Sequence, residues 1–143
     1  MNKQENKKNN KGFSLVELII VIAIMAVLIA ILAPAFIRYV EQSRQSADLS
    51  AVEDIVKAVK TSAASSEITI PSGGAKVELK STAEASPDTS IKAALDNSDV
   101  ADAKLKSSKW GTVTITFTET SGGGVDATVT STGEVKMQDK YHK

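Results

Sequence analysis

From Leu18 to Ile37 the chain runs for 20 residues without a charged side chain. Wound as a helix that rises 1.5 Å per residue, the run would be about 30 Å long, the thickness of a bilayer's hydrocarbon core. It reads as a membrane-spanning segment. Arg38 stops it, beside Tyr39 at interfacial depth. The anomaly lies at its other end, where Glu17 stands immediately before Leu18. An ionised carboxylate is costly to carry into lipid, so its presence there needs a reason.

The flanks set a direction. Residues 1–12 hold Lys3, Lys7, Lys8 and Lys11 against Glu5, a local charge of +3, which leaves 13 basic and 16 acidic side chains, or −3, for the rest. A short basic leader before an apolar segment keeps the N-terminus on the cytoplasmic side, and the remainder then faces outward. The leader is rich in Asn and Lys, has nothing to bury and is expected to be disordered. Over the whole chain 17 basic and 17 acidic residues cancel. No overall field points to nucleic acid.

Two features inside the span carry two readings each. Ala23, Ala26, Ala30 and Ala33 recur at 3-4-3 spacing, which lines one face with small side chains for close helix approach; alanine is also simply a good helix former. Pro34 lacks an N–H, leaves the Ala30 carbonyl unpaired and is expected to kink or loosen the helix, although membrane helices often tolerate proline.

Four parts are expected: the leader (1–12), the span (13–37), an amphipathic continuation of its helix (38–64) and a β-rich head (65–143). In the third part Val52, Ile55, Val56, Val59 and Ala63 form one stripe at helical spacing, with Glu53, Asp54, Lys57 and Lys60 turned away. A helix from Phe13 to Ala64 would be about 78 Å long. In the fourth part a turn is expected around Pro71 to Gly74, then a short strand through Val77 and Leu79, and a brief helix from Pro87 to about Leu95 with Ser86 as N-cap and Asp88 in its first turn. Val113, Ile115 and Phe117 alternate with threonines, Gly122 to Gly124 supply a turn, and Val125, Ala127 and Val129 alternate again. Past Gly133, Val135 and Met137 predict a third strand. The fold class is therefore α+β, a long helix packed on a small antiparallel meander whose apolar face meets the helical stripe. With few aromatics, the head would have a thin core without the helix.

Catalysis finds little footing. There is no cysteine, the single histidine, His142, is penultimate, and no HExxH or GxSxG string occurs. Gly122-Gly123-Gly124 lies between strands with no helix N-terminus to hold an anion, so it reads as a hairpin turn. Asp126, Glu134 and Asp139 are spread along the chain and not gathered in a metal-binding loop. No enzyme, cofactor or metal is expected.

The residues Lys11-Gly12-Phe13-Ser14-Leu15-Val16-Glu17-Leu18 resemble the N-terminus of a type IV pilin precursor: a basic leader, a Gly-Phe junction, a glutamate fifth after it, and an uninterrupted apolar stretch. The resemblance covers about 30 residues. It implies a prepilin peptidase that cuts between Gly12 and Phe13 and methylates the new Phe13 amine, and an apolar segment retained as membrane anchor and then as filament core. Glu17 would neutralise the amine during assembly, and Pro34 would lie in or near a segment able to unwind in the filament. The implied partners are other pilin subunits in a helical homopolymer, the pilus assembly platform and its ATPase, and the membrane before assembly. The implied localisation is the bacterial cytoplasmic membrane, then an extracellular pilus serving adhesion, twitching motility or biofilm formation. The family often staples its C-terminal segment with a disulfide, which a chain without cysteine cannot do; that is more in keeping with pilins of Gram-positive bacteria. The modest size favours a major pilin.

Two other readings compete. The chain could instead be a pseudopilin of a type II secretion or DNA-uptake machine, which the N-terminal segment does not distinguish and which is the one case in which nucleic acid becomes a partner. Alternatively Ala33-Pro34-Ala35 after a 15-residue apolar stretch is a conventional signal-peptide cleavage pattern, which would leave a soluble secreted domain starting at Phe36.

Overall fold

A computed structural model describes residues 12–141; the expectations for the leader before Gly12 and for His142 lie outside them. Helix α1 spans Leu15–Ala64, 50 residues, starting two residues later than expected and ending where expected. It continues through Pro34. Its C-terminus closes on Ser66, which takes the left-handed conformation (φ 59°), while the Ser66 N–H bonds the Ala63 carbonyl and the Glu67 N–H reaches back to Ser62. This crossed pair satisfies two carbonyls that the last turn would otherwise leave open.

The chain divides between Tyr39 and Val40 into two compact units. In the first, α1 has no apolar partner among the described residues: none of its most apolar 18-residue window is buried. In the second, the stripe read from the sequence is the packed face. Val52, Ile55, Val56 and Val59 are buried and Ala63 partly so, joined by Gln45, Asp48, Ala58 and Ser62, while Glu53, Asp54, Lys57 and Lys60 are exposed.

Strands β1 (Ala75–Leu79), β2 (Ser86–Pro87), β3 (Val113–Glu119) and β4 (Val125–Ser131) form one antiparallel sheet in the order β2-β1-β3-β4. Helix α2 (Thr89–Asn97) lies between β2 and β3 in the chain. Val77, Leu79, Val113, Ile115, Phe117, Ala127 and Val129 turn inward, and with Ile91, Leu95, Trp110 and Met137 they make one core with the α1 stripe. The β3–β4 hairpin closes through Gly122 to Gly124, with the Thr120 N–H donating to the Gly124 carbonyl at 2.8 Å.

Two local expectations need correcting. The residues past Gly133 do not form a third consecutive strand; β3 pairs with β1 instead, and Met137–Asp139 is a 3-10 turn. The cause is a competing set of hydrogen bonds: the Gly133 N–H goes to the Trp110 carbonyl at 2.7 Å and the Val135 N–H to that of Lys109 at 3.2 Å. Backbone approaches backbone so closely there that a Cβ on Gly133 would lie 2.0 Å from the Lys109 oxygen, so only glycine fits. Beyond it the Ser131 N–H, on the outer edge of β4, takes the Gln138 side chain. Helix α2 also starts later than expected. Ser86 and Pro87 pair with Glu78 and Val77, and Asp88 becomes the N-cap position without a side-chain cap. Its carboxylate is occupied across the strand, accepting the Lys76 N–H at 2.7 Å.

Candidate functional site

The residues singled out at the N-terminus form a local structure. Gly12, Phe13 and Ser14 precede the helix in irregular backbone, and Phe13 is 94% exposed. Ser14 is the last residue before α1, and its hydroxyl faces the Val16 N–H at 3.3 Å. Glu17 folds back so that its Oε2 accepts the Ser14 N–H at 2.9 Å. A serine before the first turn and a glutamate three residues later, each bonding the other's end of the turn, make a capping box. The negative charge also sits at the positive end of the helix dipole. This arrangement winds α1 to within two residues of the Gly12–Phe13 bond and leaves that bond outside the helix. It also holds the Glu17 carboxylate on the amide next to Phe13. The Phe13 nitrogen is one residue before the amide that the carboxylate holds.

Along the same unit the apolar side chains are exposed from Leu15 to Ile37, Leu28 at 52% and Ile31 at 67% among them. The small residues Ala23, Ala26 and Ala30 are exposed too, and Ala23 shares a shallow groove with Ile24, Val27 and Leu28. At Pro34 the backbone carbonyl faces the Arg38 Nε at 3.4 Å, a side-chain donor near the proline-interrupted ladder.

The structure adds a polar cluster that the sequence reading passed over. Glu41, Gln45 and Asp48 follow one another at helical spacing on the face that continues into Val52 and Ile55. Asp48 is 1% exposed, and its carboxylate accepts three N–H groups: Lys106 at 2.7 Å, Ser107 at 2.9 Å and the Trp110 indole at 3.0 Å. Glu41 accepts the Ser107 hydroxyl and, at 3.2 Å, the Gln45 amide. Gln45 in turn accepts Lys140 Nζ at 2.8 Å, and that ammonium lies 5.9 Å from the Trp110 ring centroid. The Ser107 hydroxyl pulls the Glu41 pKa below its ordinary value; burial opposes this, and the Gln45 amide and the charges of Arg44 and Lys109 add to the lowering. No buried side-chain polar atom among the described residues lacks a partner. The cluster fastens α1 to the segment before β3 and to the C-terminal turn. The 41, 45, 48, 52 spacing was legible as one helical face, but polar residues on it do not register in a search for apolar stripes.

Among the described residues no group of three or more His, Cys, Asp or Glu side chains is placed to hold a metal ion. Asp126, Glu134 and Asp139 are not brought together there.

Comparison with protein families bears on the first unit. Residues 7–33 match the family model described as the prokaryotic N-terminal methylation motif. No curated protein and no solved structure matches the chain significantly. The match takes in Gly12, Phe13, Glu17 and the apolar run as far as Ala33, the same stretch that the capping box and the exposed helix surface mark out.

Proposed function

We propose, from the premise that this is a type IV pilin-like chain carrying the N-terminal methylation motif typical of pilins and pseudopilins, that it is the building subunit of a type IV pilus. A prepilin peptidase cuts between Gly12 and Phe13 and methylates the Phe13 amine. The apolar part of α1 holds the subunit in the cytoplasmic membrane and then becomes the core of a surface filament raised by the assembly platform and its ATPase. Adhesion, motility and biofilm formation are the uses this class of filament serves.

One observation carries the reading. The motif opens a helix that is finished as a helix but unfinished as a packed element, with its most apolar window wholly uncovered. An apolar surface all round a helix is covered by lipid or by other helices, and a subunit that passes from one to the other needs both. Glu17 then has a function. Cleavage makes a cation at Phe13, assembly buries it among apolar helices, and an unpaired charge there is heavily penalised. The Glu17 carboxylate, held on the next amide by the capping box, neutralises it in the same chain or across to a neighbour. Pro34, which leaves the Ala30 carbonyl without its backbone donor, marks the place where the helix gives way when the filament is stretched.

The test is the N-terminus of the mature protein, by intact mass and N-terminal fragmentation after expression in the source organism. A chain starting at Phe13 and heavier by one methyl group is the expected result. A chain starting at Phe36 or retaining Met1 would overturn it.

A further inference from the structure

Strand β4 is an edge of the sheet: in the order β2-β1-β3-β4 it pairs, among the described residues, with β3 alone. The other edge is blunt, since β2 is two residues long and one of them is Pro87. β4 has seven residues, Val125–Ser131, with one charge, Asp126, and no proline. The Thr132 N–H bonds the Thr112 carbonyl and the Thr120 N–H that of Gly124. The even-numbered residues of β4 therefore face β3, and the N–H and C=O groups of Val125, Ala127, Val129 and Ser131 point away from it. An edge of this length and composition is a template for another strand.

The chain's own C-terminal segment covers it. Past Gly133, held by the Trp110 carbonyl, the segment turns back onto Ser131. The Ser131 N–H donates to Gln138 Oε1 at 3.2 Å and its carbonyl accepts Lys136 Nζ at 3.3 Å, so side chains occupy both outward backbone groups. The Ser131 hydroxyl accepts the Met137 N–H at 2.8 Å and donates to the Val135 carbonyl at 3.3 Å. Met137 is fully buried, its turn lies against β4, and Ala127 and Val129 are only 1% and 4% exposed. Farther on, Lys140 Nζ donates to Gln45. Charges on the segment balance, Glu134 and Asp139 against Lys136 and Lys140. Each of these ties to β4 has a side chain at one end, so none is a rung of a strand ladder, and no disulfide fixes the segment in a chain without cysteine.

We propose that residues 133–141 form a releasable strap that guards β4, and that when the strap lifts, β4 pairs with the β4 of a second copy. The short β2 edge with its proline offers no comparable partner, so the contact is two-fold and self-complementary. The antiparallel register centred on Thr128 uses all four outward residues, Val125 opposite Ser131 and Ala127 opposite Val129. It sets Asp126 against Thr130, so no like charges are opposed. A closed strap keeps crowded copies apart, and a lifted one joins them. The device lies wholly within the second unit and does not depend on how the N-terminus is processed.

In a chain without cysteine a single introduced one reports the contact. In the proposed pair the two Thr128 residues oppose each other at a non-hydrogen-bonded site, where Cα atoms lie about 4.5 Å apart, within reach of a disulfide. The experiment is oxidation of the full chain carrying T128C, in detergent over a range of concentrations, with the strap intact and with Q138A/K140A added. That pair removes two ties at exposed residues. Each hydrogen bond lost raises the lifted population about fivefold, so disulfide-linked dimer is expected to rise roughly tenfold or more. T61C, exposed on α1, is expected to show no such rise when Q138A/K140A is added. I91V trims a fully buried side chain in α2 and separates release of the strap from general loss of stability; it should leave the T128C dimer at the level of the intact strap. Equal T128C dimer with and without Q138A/K140A, whatever its level, would overturn the proposal. So would a rise that I91V or T61C reproduces.

Discussion

The two halves of α1 use the same backbone to opposite ends. Up to Ile37 apolar side chains surround the axis and stay exposed; from Gln45 on, one stripe is buried and the opposite face is charged and exposed. The second half is completed by its own chain, through the sheet and the Asp48 cluster. Among the described residues nothing covers the first half. Helix propensity does not separate them, since the helix is continuous across both; the angular distribution of apolar side chains does. A helix that is apolar all round states a need for partners, and an amphipathic one states where its partner lies within the fold.

The sharpest way to break this contrast is Glu17→Ala. On the proposal that Glu17 pairs with the Phe13 amine inside a filament, its removal would cost each subunit about 3–5 kcal/mol, and filament yield by electron microscopy is expected to collapse. The second unit should not register the change. The chain's single tryptophan, Trp110, is fully buried there, so its fluorescence on denaturant titration reports that unit alone, and its midpoint is expected to match wild type. A shifted midpoint would show that the two halves are not independent.

Phe117→Ala and Leu28→Ala sharpen it from both sides. Phe117 is fully buried, and emptying such a site costs about 3–5 kcal/mol, read as a lower midpoint with an unchanged slope. Leu28 is 52% exposed; its truncation is expected to leave the midpoint alone and to weaken filaments instead. Asp48→Asn comes next. Its amide presents N–H to at least one of three N–H donors, and a buried donor left without an acceptor costs about 1–3 kcal/mol. The unfolding free energy should fall by that amount, read as a lower midpoint, while filament formation persists at low temperature.

What was legible in the sequence follows the same division. In the first unit the methylation motif and the long apolar helix could be read, because a run without charge and a short motif around it are one-dimensional signals that do not depend on distant residues. The α1 stripe and the β3–β4 hairpin were legible for a similar reason, since period and turn residues are local. The expected third strand failed at Gly133, where the Trp110 carbonyl, 23 positions away, took the N–H; an apolar alternation over Val135 and Met137 carries no trace of that competitor. Ser86 failed as an N-cap because β1 offered Ser86 and Pro87 strand partners. The Asp48 cluster was missed because its partners lie 58 to 62 residues on, and a lone aspartate on a helix ordinarily reads as solvated.

Glu41 gives the smallest and most specific test, through pH. Its pKa is lowered in the folded chain, chiefly by the Ser107 hydroxyl, from an ordinary value of 4.5. A carboxyl that binds its proton less tightly when folded than when unfolded contributes stability above the unfolded value, and that stability is lost as pH falls through the folded value. The midpoint of the Trp110 transition should therefore be flat from neutrality down to about pH 5 as far as Glu41 is concerned, and decline below the ordinary carboxylate range. Other carboxylates titrate in the same window, so the informative quantity is the difference between wild type and Glu41→Gln. Glutamine keeps an oxygen for the Ser107 hydroxyl but has no proton to gain. That difference is expected to be largest near neutral pH and to shrink in acid, where the wild-type side chain becomes neutral as well. A difference that stays constant across the range would mean that Glu41 contributes shape and not charge. The polar end of the α1 stripe would then be fastened by Asp48 alone.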